Sequence, residues 1–104
     1  MCTADIYKTP LSIHAEACGI VIFSVDYRLA PETKCPKNVL DFYCALRYIV
    51  DNAESLGVDP GRLAMGGESG GGYIYCCIAA LLYCCNSVIC CNSVLLYCCN
   101  AVLL

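Results

Sequence analysis

The sequence predicts an α/β fold in which parallel strands are joined by a crossover helix. Residues 20–25 are a continuous apolar, largely β-branched run, and residues 62–66 form a second short run that leads into a glycine-rich turn. A largely apolar, β-branched run of this kind is typical of a strand buried on both faces of a parallel sheet. Two parallel strands need a crossover connection, and residues 37–56 between them have the pattern of a helix.

The helical pattern of residues 37–56 is amphipathic. Apolar side chains recur there at intervals of three and four positions, which places them on one face of a helix. These apolar residues are Val39, Phe42, Tyr43, Leu46, Ile49, Val50 and Ala53. Gly57 follows where a left-handed C-terminal cap belongs, and Asp59-Pro60-Gly61 predicts a turn. Pro31 and Pro36 bracket a loop that cannot continue the first strand.

The stretch Gly67-Glu68-Ser69-Gly70-Gly71 reads G-x-S-x-G between the second strand and another helix. Such a sequence turns a strand into a helix within a few residues and holds the serine at a strained apex with its Oγ exposed. The helix that follows directs its free N–H groups and positive dipole end at the serine. Ser69 is therefore a candidate nucleophile and the Gly70 N–H a candidate oxyanion donor, with Gly67, Glu68 and Gly71 as structural support.

Three sequence blocks follow one another in an order and spacing that resemble those of a known enzyme family. They are SVDYRLAPE at residues 24–32 with Pro36, LGVDPGR at residues 56–62, and the serine motif. Residues 11–82 thereby resemble the hormone-sensitive-lipase-like branch of the α/β-hydrolases, which includes arylacetamide deacetylases and many microbial carboxylesterases. Glu68 and Gly70 stand where that family usually has Asp and Ala.

The resemblance implies a partial α/β-hydrolase fold with a nucleophile elbow, followed here by an apolar helical tail. It implies hydrolysis of a small-molecule carboxylic ester through an acyl-enzyme on Ser69, with no metal or organic cofactor. The family's triad acid and histidine follow the serine, yet no Asp, Glu, His, Lys or Arg follows Glu68. We therefore expect this chain to be inactive alone; the alternative is a non-catalytic fragment whose apolar tail associates with membranes.

Other charged residues have structural interpretations. His14, the only histidine, precedes the first strand and is interpreted as a surface or helix-packing residue, since a base must contact its nucleophile. An Asp26–Arg28 or Arg28–Glu32 pairing that holds the loop is favoured over catalysis, because buried charges persist mainly when paired. Glu68 is assigned to the turn rather than to proton transfer.

Composition is consistent with part of a larger protein. The chain has 104 residues, is 60% hydrophobic and only 14% charged, and carries a net charge of −3. This balance is too apolar for a solvated domain of this size and excludes nucleic acid as a partner. No signal-peptide pattern begins the sequence, so an intracellular location is favoured, with membrane association as the alternative.

The last part of the chain is repetitive. Leu-Leu-Tyr-Cys-Cys-Asn occurs twice, and eight of the twelve cysteines stand in adjacent pairs. Adjacent pairs lack the C-x-x-C spacing of zinc sites, so no metal site is predicted. About 30 uncharged residues would exceed the length of a bilayer span, but asparagines interrupt them and no basic residue flanks them. We divide the chain into a partial hydrolase domain, residues 1–82, and a low-complexity tail, residues 83–104.

Overall fold

The computed structural model describes residues 4–84 and 94–98. Its helices and strands alternate along the chain, as expected of an α/β fold. In order they are α1 (Ala4–Cys18), β1 (Val21–Val25), α2 (Lys37–Asp51), α3 (Ala53–Leu56), β2 (Leu63–Gly67), α4 (Gly70–Cys84) and β3 (Val94–Cys98). The predicted α/β class, with parallel strands and a crossover helix, is confirmed.

The three strands form one parallel sheet in the order β1-β3-β2. β1 and β2 are therefore parallel, as predicted, but they are not hydrogen-bonded to each other because β3 lies between them. The register aligns Val25 of β1, Cys98 of β3 and Gly67 of β2. The carboxyl ends of all three strands consequently meet at one edge of the sheet, and the loops that follow β1 and β2 leave from that edge.

The tail contains a strand that was not predicted from the sequence. The expected apolar helix is present as α4, which ends at Cys84, whereas Val94–Cys98 is the central strand of the sheet. Valine, leucine and tyrosine are all compatible with a strand, and a central position gives the backbone N–H and C=O groups partners on both sides. The division of the chain at residue 82 stays a prediction.

The segment predicted as one helix over residues 37–56 is two helices. Asn52 interrupts it with φ −114° and ψ 20°, and its backbone N–H and side-chain Nδ2 both donate to the carbonyl oxygen of Tyr48, at 3.0 and 2.8 Å. Because the Asn52 side chain competes with backbone N–H groups for the Tyr48 carbonyl, the regular helical hydrogen bonding stops here and α2 ends at Asp51. After α3, Gly57 adopts the predicted left-handed cap, with φ 68°.

The core lies where α2 and α4 pack against each other and against the sheet. Its fully buried side chains are Phe42, Leu46, Leu63, Ile74 and Ile78. β1 is less buried than predicted, since Val21 is 46% exposed and Ser24 is also exposed. A cavity of about 310 Å³ lies between α1 and β1, and Ser24 lines it.

Candidate active site

The serine turn occupies the two residues between β2 and α4. β2 ends at Gly67 and α4 begins at Gly70, so Glu68 and Ser69 alone make the connection. Ser69 has φ 52° and an exposed side chain; of the described residues other than glycine, it alone has a positive φ. A side-chain-bearing residue in this left-handed region costs about 1–3 kcal/mol, and such strain clusters at functional sites. The catalytic role of Ser69 itself stays a prediction.

Gly67 is required because the end of β2 and the first turn of α4 nearly touch. A Cβ on Gly67 would lie 2.5 Å from the carbonyl carbon of Gly71 and 2.7 Å from its oxygen. Neither atom can move without displacing backbone, so a side chain at position 67 would push the helix away from the strand. The close approach keeps Ser69 at the tip of the turn.

The first turn of α4 supplies N–H groups beside Ser69. The Gly71 N–H donates to the carbonyl oxygen of Glu68 at 2.9 Å, and the Tyr73 N–H donates to that of Ser69 at 3.2 Å. The N–H of Gly70 has no acceptor within the helix, as is general for a first helical residue. Because the dipole of α4 also points its positive end here, Gly70 is suited to donate to a developing oxyanion.

Glu68 is tied to α1 rather than directed at the serine. Its carboxylate oxygen Oε2 accepts a hydrogen bond of 3.1 Å from the hydroxyl of Tyr7. This bond connects the serine turn to the first helix, across 61 residues of chain. The contact supports a structural role for Glu68.

Among the described residues, no base is hydrogen-bonded to the serine. His14 is exposed on α1, and its Nδ1 lies 2.6 Å from the carbonyl oxygen of Pro10 one turn earlier. Within residues 4–84, no hydrogen bond joins the Ser69 side chain to a histidine or a carboxylate. The exposure of His14 and its contact with Pro10 agree with its interpretation as a surface residue.

A recess of about 200 Å³ is lined in part by Gly70. It forms because the loop after β1 and the start of α4 leave the same edge of the sheet, where ligands of α/β folds usually bind. Its lining residues are Tyr27, Leu29, Ala30, Asn38, Gly70, Tyr73 and Ile74. Sequence reasoning missed Asn38 and Tyr73; the available signal for Tyr73 was its place one turn after the serine.

Arg28 holds the loop after β1, but through a partner that was not predicted. Its Nε donates to Asp41 Oδ2 at 2.8 Å, and its backbone N–H donates to the same oxygen at 3.1 Å. The predicted pairing with Asp26 or Glu32 is therefore wrong, because α2 presents a carboxylate directly to the guanidinium. The bond from Arg28 holds the pKa of Asp41 below its usual value. The loop that lines the recess is thus fixed to α2.

The described residues were also compared with three other kinds of functional feature: a second cavity, a metal site and a membrane-spanning helix. The cavity between α1 and β1 includes no residue of the serine turn. No group of three or more His, Cys, Asp or Glu side chains in the described part of the chain could hold a metal ion. Among the described helices, none combines the length and apolarity needed to cross a bilayer.

Comparison with curated proteins finds esterases. Carboxylesterase NlhH of Mycobacterium tuberculosis is 46% identical over 77 residues, which are 74% of this chain and 24% of that protein. The arylacetamide deacetylase of Bos taurus is 43% identical over 65% of this chain and 18% of its own length. An arylesterase of Saccharolobus solfataricus is 45% identical over 58% of this chain and 20% of its own length.

The chain spans about a quarter or less of the length of these relatives. No solved structure matches it significantly. A family model described as "alpha/beta hydrolase fold" matches residues 1–101. This range is nearly the whole chain and includes the strained serine turn. On this match, and on the strand–turn–helix geometry around Ser69, the chain belongs to the α/β-hydrolase family.

Proposed function

We propose that this chain carries the nucleophile segment of a serine carboxylic ester hydrolase. The observation that carries the proposal is the left-handed backbone of Ser69 at the junction of β2 and α4. An exposed hydroxyl at a strained strand-to-helix turn is the arrangement that acyl-transfer enzymes of this fold use. The relatives support the same reaction class, since their names are carboxylesterase, arylacetamide deacetylase and arylesterase.

The reaction would proceed in two steps at Ser69. Its Oγ attacks the ester carbonyl carbon, and the resulting oxyanion accepts a hydrogen bond from the Gly70 N–H. Collapse of this intermediate releases the alcohol and leaves the acyl group on Oγ; water then attacks the acyl carbon and releases the acid. The recess beside Gly70 is lined mainly by apolar and aromatic side chains, which suits an uncharged ester.

The chain contributes the nucleophile but not the base. No charged residue follows Glu68 in the sequence, and no described histidine or carboxylate reaches Ser69. A serine hydroxyl without an adjacent base is a weak nucleophile. We therefore propose that the 104-residue chain alone does not turn over esters, although its serine is preorganised for attack.

Chemical rescue tests this proposal. The chain is incubated with a fluorophosphonate probe with and without imidazole as a diffusible base, and modified serines are mapped by mass spectrometry. Ser55 is the matched control, because it is also exposed but lies on α3 and donates to the carbonyl oxygen of Asn52 at 2.9 Å. We expect imidazole to accelerate modification of Ser69 at least about a hundredfold over Ser55, the lower end of the range of general-base catalysis.

Two variants complete this experiment. Ser69→Ala should abolish the imidazole-dependent label, while Ser55→Ala should leave it unchanged. If Ser69 reacts no faster than Ser55 in the presence of imidazole, the turn does not preorganise a nucleophile and the proposal is overturned.

The second candidate role is a non-catalytic fragment that associates with membranes. The observation that favours it is the uncharged, apolar sequence that follows Glu68 to the end of the chain. Flotation with phosphatidylcholine vesicles tests it. Co-migration of the chain with the vesicles, together with absence of Ser69 labelling, would favour this role over the hydrolase segment.

A further inference from the structure

Two thiols and one phenol meet in a groove between the start of α2 and the outer face of α4. The groove has a volume of about 360 Å³ and is almost wholly apolar. Its lining residues are Cys35, Pro36, Val39, Tyr73, Cys77, Ala80 and Leu81. Tyr73 lines both this groove and the recess beside Gly70, so the two spaces are neighbours.

Cys35 contacts the phenol directly, and Cys77 lies one helical turn away from it. Cys35 Sγ lies 3.6 Å from the Tyr73 hydroxyl oxygen, and Cys77, four residues after Tyr73 on α4, lines the same groove. Hydrogen bonds to the Cys35 and Cys77 thiols raise the pKa of Tyr73 to about 12. The phenol therefore stays protonated at pH values where thiols ionise, and it can donate to a thiolate sulfur.

Both thiols are free and accessible in part. Cys35 is exposed and Cys77 is half-buried in the wall of the groove. The adjacent Cys76 is exposed and is not among the residues that line the groove, so it belongs to a different group. Cys35 and Cys77 are thus a pair that the fold assembles from distant parts of the sequence.

We propose that Cys35 and Cys77 form a paired-thiol modification site that captures a small disulfide and closes to a Cys35–Cys77 disulfide. Because Cys35 is exposed, its thiol reacts first with the small disulfide. Because Cys77 lines the same groove, its thiol then attacks the mixed disulfide on Cys35. The site does not depend on whether Ser69 is acylated. Its closure would join the start of α2 covalently to α4, beside the recess at Gly70.

The chemistry balances with glutathione disulfide as the oxidant. The Cys35 thiolate attacks one sulfur of glutathione disulfide, forming a mixed disulfide and releasing glutathione thiolate. The Cys77 thiolate then attacks the Cys35 sulfur, forms the protein disulfide and releases the second glutathione. The two protons lost by the cysteines are taken up by the two released thiolates. Two protein thiols are oxidised and one glutathione disulfide is reduced to two thiols.

Peptide mapping tests the proposal. The reduced chain is treated with glutathione disulfide, remaining thiols are alkylated, and disulfide-linked peptides are quantified by mass spectrometry. We expect the Cys35–Cys77 link to exceed any other link to Cys35 at least about tenfold. In Cys77→Ser, Cys35 should accumulate as the glutathione mixed disulfide, whereas Cys76→Ser should behave like the unmodified sequence.

A denatured control separates the effect of the fold from that of the sequence. In concentrated guanidinium chloride, the preference of Cys35 for Cys77 should disappear, since all eleven other cysteines then compete to pair with Cys35. The proposal is overturned if Cys35 retains glutathione in the native chain, if it pairs equally with other cysteines, or if the preference survives denaturation.

Discussion

The sequence Leu-Leu-Tyr-Cys occurs twice, and the structure gives the two copies different backbones. Residues 81–84 form the last turn of α4, whereas residues 95–98 form most of β3. Because the four residues are the same, their intrinsic preferences are the same. The difference must therefore come from what surrounds each copy, since tertiary context overrides propensity.

The surroundings of the two copies differ in kind. The first copy continues a helix that starts at Gly70 and is anchored in the core by Ile74 and Ile78. The second copy lies between β1 and β2 and pairs in parallel with both. A helix satisfies its backbone groups within itself, while a central strand needs neighbours on two sides. The strand copy should accordingly be the more sensitive to a change in its backbone.

Proline substitution gives the largest expected effect. Leu96 lies at the middle of β3, aligned with Phe23 and Met65. Leu96→Pro removes a backbone donor from the central strand, where proline is essentially not found, and should lower the free energy of unfolding by more than about 3 kcal/mol. Urea unfolding followed by circular dichroism measures the loss.

The matched substitution in the helix copy is Leu82→Pro. It removes only the last turn of α4, and we expect a loss of about 1 kcal/mol because helix ends already leave carbonyl groups unpaired. Equal losses for the two variants would mean that β3 contributes no more to stability than the end of α4 does.

The second prediction tests the anchor of the helix copy. Ile78 is fully buried, while Leu81, three residues later on α4, is 50% exposed. Ile78→Ala should destabilise the chain by about 3 kcal/mol through lost burial and the cavity left behind. Leu81→Ala should cost less than about 1 kcal/mol. Thermal unfolding of both variants distinguishes them, and a comparable loss at Leu81 would contradict the assigned core.

These contrasts explain which features could be predicted from the sequence. The turn at Ser69 and the cap at Gly57 were predictable, because each depends on glycines within a few residues. The position of β3 was not, since Leu-Leu-Tyr-Cys carries no local signal that separates strand from helix. The Arg28–Asp41 pair was missed for a related reason: only the packing of α2 brings that carboxylate to the loop.

The third prediction concerns the residue that precedes α4. Ser69 has a left-handed backbone, which glycine adopts without a steric penalty. Ser69→Gly should therefore stabilise the chain by about 1 kcal/mol while removing the nucleophile. The control Ser55→Gly, within α3, should destabilise it by about 0.5 kcal/mol. Urea midpoints measure both, and a destabilising Ser69→Gly would show that the turn is not strained.

The smallest expected effect is a titration that compares two tyrosines of α4. Tyr75 has a raised pKa because of Cys76, its neighbour in sequence, whereas Tyr73 has a pKa raised to about 12 chiefly by Cys35, which is 38 positions away. Only the shift at Tyr73 requires the tertiary fold. Cys35→Ala should lower the pKa of Tyr73 toward its ordinary value of about 10, and Cys44→Ala should not. The pKa of Tyr73 is measured by tyrosinate absorbance, taken as the difference between each protein and its Tyr73→Phe counterpart. An unchanged titration midpoint in Cys35→Ala would show that the loop before α2 does not reach α4 in solution.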